Sequence, residues 1–317
     1  MESLLGSVSW LVLSLILLIW GANKFIDNAS ALAANFGISD FIIGLSVVAL
    51  GTSFPEIFIG ISAVINDNEE LALGTIIGSN ISNIALIFGV SCIGYTTAIS
   101  PSSRRNLIAL SMSVIIAIYA LIDLKIGKID SALLLSVFVY FIYVMSSQVD
   151  KENAEIITSS DVSTFKLIAM LLVGSISLLI GSNYAVIHGE IIALYLGIPK
   201  LIVGLTVLAI GSSLPELAVT ISALVKNKNQ MVLGNIIGSN VLNIVIVMPI
   251  LGLFSNQSFD ELVLNRDVFV MTLLSIIFIL IALSFSYKNI SVNIYRSIGI
   301  FLVSGYIYYI GVLSGLL

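Results

Sequence analysis

The sequence predicts an all-α integral membrane protein with ten transmembrane helices in two inverted five-helix repeats, helices 2 and 7 being broken. Three observations predict it. Hydrophobic residues make up 58% of the chain and charged residues 10%. The mean hydropathy is +1.13, whereas a soluble domain carries roughly 25% charge. Apolar stretches of about 20 residues, long enough to cross a bilayer core of ~30 Å, recur along the chain. Finally, one stretch is written twice at a spacing of 160 residues: aligned without a gap, positions 41–90 and 201–250 are identical at 21 of 50 places.

The spans are expected near 4–23, 40–65, 71–95, 106–122, 130–148, 165–185, 200–225, 231–254, 268–286 and 295–315. The first lacks a basic leader and a small-residue cleavage site, so it reads as a retained helix and not a signal peptide. The most polar segment, SSQVDKENAEIITSSDVSTF, runs from Ser146 to Phe165. It divides the chain into a first repeat over 1–148, a short cytoplasmic loop over 149–164 and a second repeat over 165–317. Five spans is an odd number, so halves that share a fold must enter the membrane from opposite sides. That is an inverted-topology repeat, a recurring plan of secondary transporters. The offset of 160 extends into the first helix of each half: Gly21 and Asn23 match Gly181 and Asn183, and Gly37-Ile38 matches Gly197-Ile198.

Orientation follows from Lys and Arg in short loops. With the N-terminus outside, nine basic residues face the cytoplasm: Lys24, Arg104, Arg105, Lys151, Lys166, Lys226, Lys228, Lys288 and Arg296. Only Lys125, Lys128, Lys200 and Arg266 face out. Both termini are therefore expected outside a cell (inner or plasma) membrane crossed many times.

The duplicated stretch carries the chemistry. GTSFPE ends at Glu56 and GSSLPE ends at Glu216, each carboxylate inside an apolar run. An intramembrane acid is expensive and by default marks a functional site. Pro55 and Pro215 lack an N–H and clash with the carbonyl four residues back, so each breaks its helix. The freed backbone oxygens must be buried in protein or line a wet cavity. Thr52 and Ser53, and Ser212 and Ser213, add hydroxyls about one turn from the acids, although Ser and Thr in helices also bond back to the preceding turn. The partner motifs are GTIIGSNISN (Gly74–Asn83) and GNIIGSNVLN (Gly234–Asn243). Gly74 and Gly78, and Gly234 and Gly238, form small-xxx-small faces for close helix approach. Ser79 and Asn83, like Ser239 and Asn243, are four apart and share a face. Asn80 and Asn240 fall on another face and read as helix–helix contacts. Asp27, Asp123, Asp130 and Asp267 read as solvated charges near helix ends.

The sum is an oxygen-only cage of carboxylates, hydroxyls, amides and backbone carbonyls. Hard cations choose such ligands; Ca²⁺ takes 6–8 oxygens, while Mg²⁺ dehydrates reluctantly. Two carboxylates balance one Ca²⁺ or two monovalent ions, so Ca²⁺ and Na⁺ can compete for the same oxygens. Zinc chemistry and nucleophile–base catalysis find no motif, since the single Cys92 and single His188 lie in different halves. No basic or aromatic pattern suits nucleic acid.

At these residues the chain resembles the cation/Ca²⁺ exchanger superfamily, specifically its prokaryotic sodium/calcium exchanger group. GTSFPE and GSSLPE, each followed by G-x-I-I-G-S-N, are similar to that family's two α-repeats, and the resemblance spans essentially the whole chain. It implies a mid-membrane site from helices 2, 3, 7 and 8. Glu56 and Glu216 would be central ligands for Ca²⁺ and Na⁺, completed by Thr52, Ser53, Ser212 and Ser213. Ser79, Ser239 and the carbonyls of Ala49 and Ala209 would serve flanking Na⁺ sites, and helices 1 and 6 would form the moving gate. Two departures stand out. Many relatives carry Asp where this chain has Asn243, so this site holds two carboxylates, which weakens any carry-over of proton or K⁺ dependence tied to that Asp. Ser212 replaces a usual Thr but keeps the hydroxyl.

The expected function is Na⁺/Ca²⁺ antiport by alternating access, extruding Ca²⁺ on the inward Na⁺ gradient. No resident cofactor is expected, the ions being cargo, and the protein is expected to be a monomer in the lipid bilayer. Three Na⁺ on two carboxylates would leave a charge of +1, making transport voltage sensitive by roughly 2.3 kcal/mol per charge per 100 mV. Alternatives on the same residues are a H⁺/Ca²⁺ or K⁺-dependent Na⁺/Ca²⁺ antiporter and a passive cation channel.

Overall fold

The computed structural model describes residues 4–65, 69–94, 104–152, 163–197, 211, 213–254, 258–284 and 291–313. Among these residues the chain is helical, without a strand. The helices are α1 (Leu4–Phe36), α2 (Asp40–Thr52), α3 (Phe54–Ile65), α4 (69–94), α5 (Arg104–Leu121), α6 (Lys128–Glu152), α7 (Thr164–Tyr195), α8 (Leu214–Val225), α9 (Asn229–Phe254), α10 (Val263–Ser284) and α11 (Val292–Leu313). Eight of them are long and apolar enough to cross a membrane; α2 and α8 are shorter apolar helices. Large side chains such as Ile16, Ile115, Val139, Phe301 and Ile307 point outward, as a lipid-facing surface requires. The chain is a multi-pass membrane protein.

Two boundaries differ from the sequence expectation. The first span was expected to end near residue 23 and the sixth near 185, but α1 runs 33 residues and α7 runs 32. Lys24, Asp27 and Asn28 look like a helix end in sequence. In the fold Asn28 Nδ2 donates to the Lys24 carbonyl at 2.6 Å and Asp27 accepts from Lys226 Nζ at 2.7 Å. With those groups satisfied, Phe25, Ile26, Ala29, Leu32 and Ala33 extend the buried stripe. At 1.5 Å per residue such helices reach about 50 Å and cross a bilayer only with tilt or overhang. Both stop at a glycine in the left-handed region, Gly37 at φ +62° and Gly197 at φ +81°, where a residue lacking Cβ relieves the clash. Ser39 and Ser163 then cap the N-termini of α2 and α7, accepting from Ile42 N and Lys166 N.

The most extensive helix–helix interface joins α1 and α7. A Cβ on Gly21 would lie 2.9 Å from Ser177 Cβ, and one on Gly181 would lie 2.8 Å from Leu18 N. Trp10 of α1 stacks on His188 of α7 with centroids 5.9 Å apart. His188 therefore lies within a helix, at an interface. Asp267 departs from the expected solvated charge: its side chain is 16% exposed and accepts from Tyr309 OH at 2.7 Å and Arg266 Nε at 2.8 Å.

The centre belongs to α4 and α9. Most of their residues are buried, whereas the other six long helices bury half or less. Helix α2 lies on α9 in backbone contact: a Cβ on Gly234 would come 2.2 Å from the Phe41 carbonyl oxygen, and one on Gly238 would come 2.3 Å from that of Leu45. The expected close-approach face of Gly234 and Gly238 is realised. By the 160-residue correspondence, the segment facing Gly74 and Gly78 would be 201–210, outside the described residues.

Gly238→Ala should destabilise the purified protein by about 1–3 kcal/mol, the cost of overpacking. Gly305→Ala, on an open helix surface with nothing within 4 Å of its new methyl, should be neutral or slightly stabilising. Thermal unfolding of both variants in detergent checks the contrast.

Candidate ion-binding site

The broken helix delivers the first acid. Ser53 separates α2 from α3 with φ −85° and ψ 4°, though its N–H still donates to the Ala49 carbonyl at 3.0 Å. Pro55 follows, and Glu56 falls in the first turn of α3, 1% exposed. The second copy repeats this backbone: Ser213, at φ −93° and ψ 3°, precedes α8, and Glu216 lies in its first turn, also 1% exposed. An anion in the first turn of a helix gains from the N–H groups there.

The two central helices, α4 and α9, change pitch along their length. Asn83 opens a π-helical stretch, Asn83–Phe88, inside α4, and Asn243 opens another, Asn243–Val247, inside α9. These asparagines occupy equivalent places in the two copies. A π-bulge shifts the register of the side chains beyond it and is frequent at functional sites.

Hydrogen bonds tie these helices together. Ser79 Oγ of α4 donates to Glu56 Oε1 at 3.1 Å. The hydroxyls of Ser82 and Ser213 are bonded to each other, joining α4 to the residue before α8. Asn235 Oδ1 of α9 lies 3.4 Å from Thr52 Oγ1 and 3.5 Å from Ser239 Oγ. Thr52 also reaches back to the carbonyls of Val48 at 3.1 Å and Ala49 at 3.3 Å. The Ala49 oxygen thus already faces two donors of its own chain segment, the Ser53 N–H and the Thr52 hydroxyl.

Several buried polar atoms beside these have no protein partner: Ser53 Oγ, Glu56 Oε2, both Glu216 oxygens, Asn83 Nδ2 and both amide atoms of Asn243. Each unsatisfied buried group costs roughly 1–3 kcal/mol, more when charged. Five of the unpartnered atoms are oxygens, three of them from the two carboxyl groups. This donor set fits a hard cation.

Of the residues singled out in sequence, the fold brings together Ala49, Thr52, Ser53, Glu56, Ser79, Asn83, Ser213, Glu216, Ser239 and Asn243, all buried. Ser212 and Ala209 lie outside the described residues. Asn80 makes an interhelical contact, Nδ2 to Met271 Sδ at 3.7 Å, while Asn240 Nδ2 bonds back to the Ile236 carbonyl at 2.7 Å. Sequence reasoning missed Asn235 and Ser82. Both positions differ between the copies, which hold Thr75 opposite Asn235 and Leu242 opposite Ser82, so a search for repeated residues passes over them.

Fold and site define a multi-pass membrane protein with a buried, acidic, oxygen-lined centre between broken helices. The family model described as "Sodium/calcium exchanger protein" matches residues 6–147 and 166–315, and the chain belongs to that family. "Inner membrane protein YrbG" of Escherichia coli is 34% identical, covering 98% of this chain and 97% of that protein. "Sodium/calcium exchanger MaX1" of Methanosarcina acetivorans is 29% identical, with 85% and 89% covered. Among solved structures, the sodium-calcium exchanger NCX_Mj soaked with zero Na⁺ and Ca²⁺ aligns with a TM-score of 0.80 and 32% identity, covering 96% of this chain and 98% of that one.

Asn235→Ala removes one acceptor shared by Thr52 and Ser239. It should weaken apparent cation affinity by about 2- to 12-fold, the equivalent of one hydrogen bond of 0.5–1.5 kcal/mol. Isothermal titration of the detergent-solubilised protein with Ca²⁺ reads the change.

Proposed function

We propose that this protein is a secondary active antiporter, not an enzyme, exchanging Na⁺ for Ca²⁺ by alternating access and extruding Ca²⁺ on the Na⁺ gradient. The observation that carries this reading is the pair of buried acids, Glu56 and Glu216. Unpartnered oxygens surround them, and no basic side chain is bonded to either among the described residues. Family membership and the likeness to NCX_Mj support it.

On this reading Glu56 and Glu216 are central ligands. Ser53, Ser213, Thr52, Ser212 and the amide oxygens of Asn83 and Asn243 complete the cage. Ser79, Ser239 and the carbonyls of Ala49 and Ala209 serve flanking Na⁺ sites. One Ca²⁺ and a set of Na⁺ ions draw on the same oxygens, so full occupancy by both is excluded.

The reading includes ten spans in two inverted repeats, 1–148 and 165–317, joined by a cytoplasmic loop, with both termini outside and a monomeric unit. Several features support the duplication. Left-handed Gly37 and Gly197, the breaks at Ser53 and Ser213, and the π stretches opening at Asn83 and Asn243 all recur at a spacing of 160 residues. The family match also falls into two stretches on either side of the central loop.

The test is uptake of radiolabelled Ca²⁺ into proteoliposomes loaded with Na⁺ and diluted into Na⁺-free buffer. Uptake should need internal Na⁺ and fall to background in Glu56→Gln and in Glu216→Gln. Uptake driven by a pH gradient alone would replace Na⁺ with H⁺ as the counter-ion. Flux indifferent to both gradients would mean a channel.

A further inference from the structure

Among the described residues, many hydroxyls enclosed in the helices bond to their own backbone, Ser7 and Ser30 of α1 being exceptions. Ser91 donates to the Ile87 carbonyl at 2.7 Å, Ser175 to that of Leu171 at 3.0 Å, Thr272 to that of Val268 at 2.7 Å and Ser275 to that of Met271 at 2.7 Å. In an apolar setting this back-bond is the nearest partner for such a group. Thr220 does not use it. It is 1% exposed in the middle of α8, and its Oγ1 has no partner at all.

Thr220 follows Glu216 by four residues, so the two share a helical face one turn apart. That buried face is Glu216, Val219, Thr220 and Ala223, and α8 packs on both central helices, α4 and α9. The other copy has no such group. The position matching Thr220 is Gly60, and a Cβ there would fall 2.3 Å from Val247 Cγ1 of α9. Hydrocarbon from Val247 therefore occupies on the Glu56 side the place that a hydroxyl takes on the Glu216 side.

We infer that Thr220 supplies a further oxygen ligand to the cation held at Glu216, making the two halves of the ion site unequal. This rests on the antiporter reading and deepens it by naming a residue that sets ion preference. An ion–dipole contact scales with ionic charge, and Ca²⁺ seeks 6–8 oxygens. Loss of one neutral hydroxyl thus costs Ca²⁺ more than Na⁺ at the same place.

The test compares Thr220→Val, which keeps the shape and deletes the hydroxyl, with Thr220→Ser, which keeps the hydroxyl and deletes the methyl. Half-maximal Ca²⁺ and Na⁺ concentrations are measured for exchange in proteoliposomes, and Ca²⁺ binding is titrated on the purified proteins. Thr220→Val should raise the Ca²⁺ requirement by about tenfold and the Na⁺ requirement by about threefold or less, the former being the equivalent of one hydrogen bond to a charged group. Thr220→Ser should recover most of the Ca²⁺ affinity. Equal affinities in Thr220→Val and wild type, or equal losses in Val and Ser, overturn the inference and leave Thr220 a packing residue. Should Thr220→Val not insert, Thr220→Ala takes its place: a Ca²⁺ requirement raised in Ala and not in Ser supports the inference, and equal requirements in Ala and Ser overturn it. Wild type and Glu216→Gln run alongside. No Na⁺-dependent exchange in wild type would sink the antiporter reading, whereas exchange lost in Glu216→Gln and unchanged in Thr220→Val sinks this inference alone.

Discussion

Two carboxylates buried in an apolar bundle are the constraint on which the rest of the molecule depends. Glu56 and Glu216 are each 1% exposed, and burying an uncompensated ion costs several kcal/mol even after relaxation. Among the described residues the ion pairs involve Lys226, Lys228 and Arg266, near helix ends and away from the two acids. Among the described residues, one of the four carboxylate oxygens accepts from a side chain, that of Ser79. The fold thus leaves two buried acids at its centre without a basic partner among the described residues, a charge that on the antiporter reading the transported cation answers. A guest that binds the folded state stabilises it by mass action, so ion occupancy and integrity are linked in such a protein.

Several local irregularities gather at that centre. A regular helix through Pro55 or Pro215 cannot keep its ladder, and breaks at Ser53 and Ser213 place each acid in the first turn of a new helix, where N–H groups face it. The pitch of α4 and α9 loosens at Asn83 and Asn243, buried residues at equivalent places in the two copies. Irregular backbone at this depth survives only inside protein. That requirement explains why α4 and α9 are the most enclosed helices and why glycines let α2 rest its backbone on α9.

Much of this was legible in sequence because it was written twice. The Pro-Glu pairs, the G-x-I-I-G-S-N motifs and the glycines at 37 and 197 stand out when the chain is laid against itself. The helix ends were less legible: Asp27 reads as a boundary because its partner, Lys226, lies elsewhere in the fold. Asp267 misled for the same reason, since Tyr309 approaches it from another helix. Asn235, Ser82 and Thr220 were invisible to the repeat argument, being Thr75, Leu242 and Gly60 in the other copy. Duplication reveals what both halves share and hides what each acquired alone. At these positions the two copies differ in side chain, so the surroundings of the two acids are not identical.

The same two acids account for coupling on the antiporter reading. An ion that binds two conformations equally shifts neither, so exchange requires that some occupancy states be barred from the closed intermediate between them. Closing the protein around an empty site would leave two bare carboxylates and a set of unpartnered oxygens without water. Closing it around one Ca²⁺, or around Na⁺ ions that match the charge, removes the penalty. The empty carrier is therefore the state least able to cross, and a carrier that crosses only when loaded must bring back one ion for the other. Obligatory exchange needs no separate linkage between the ions. It follows from placing two acids where neither water nor a basic side chain can answer them.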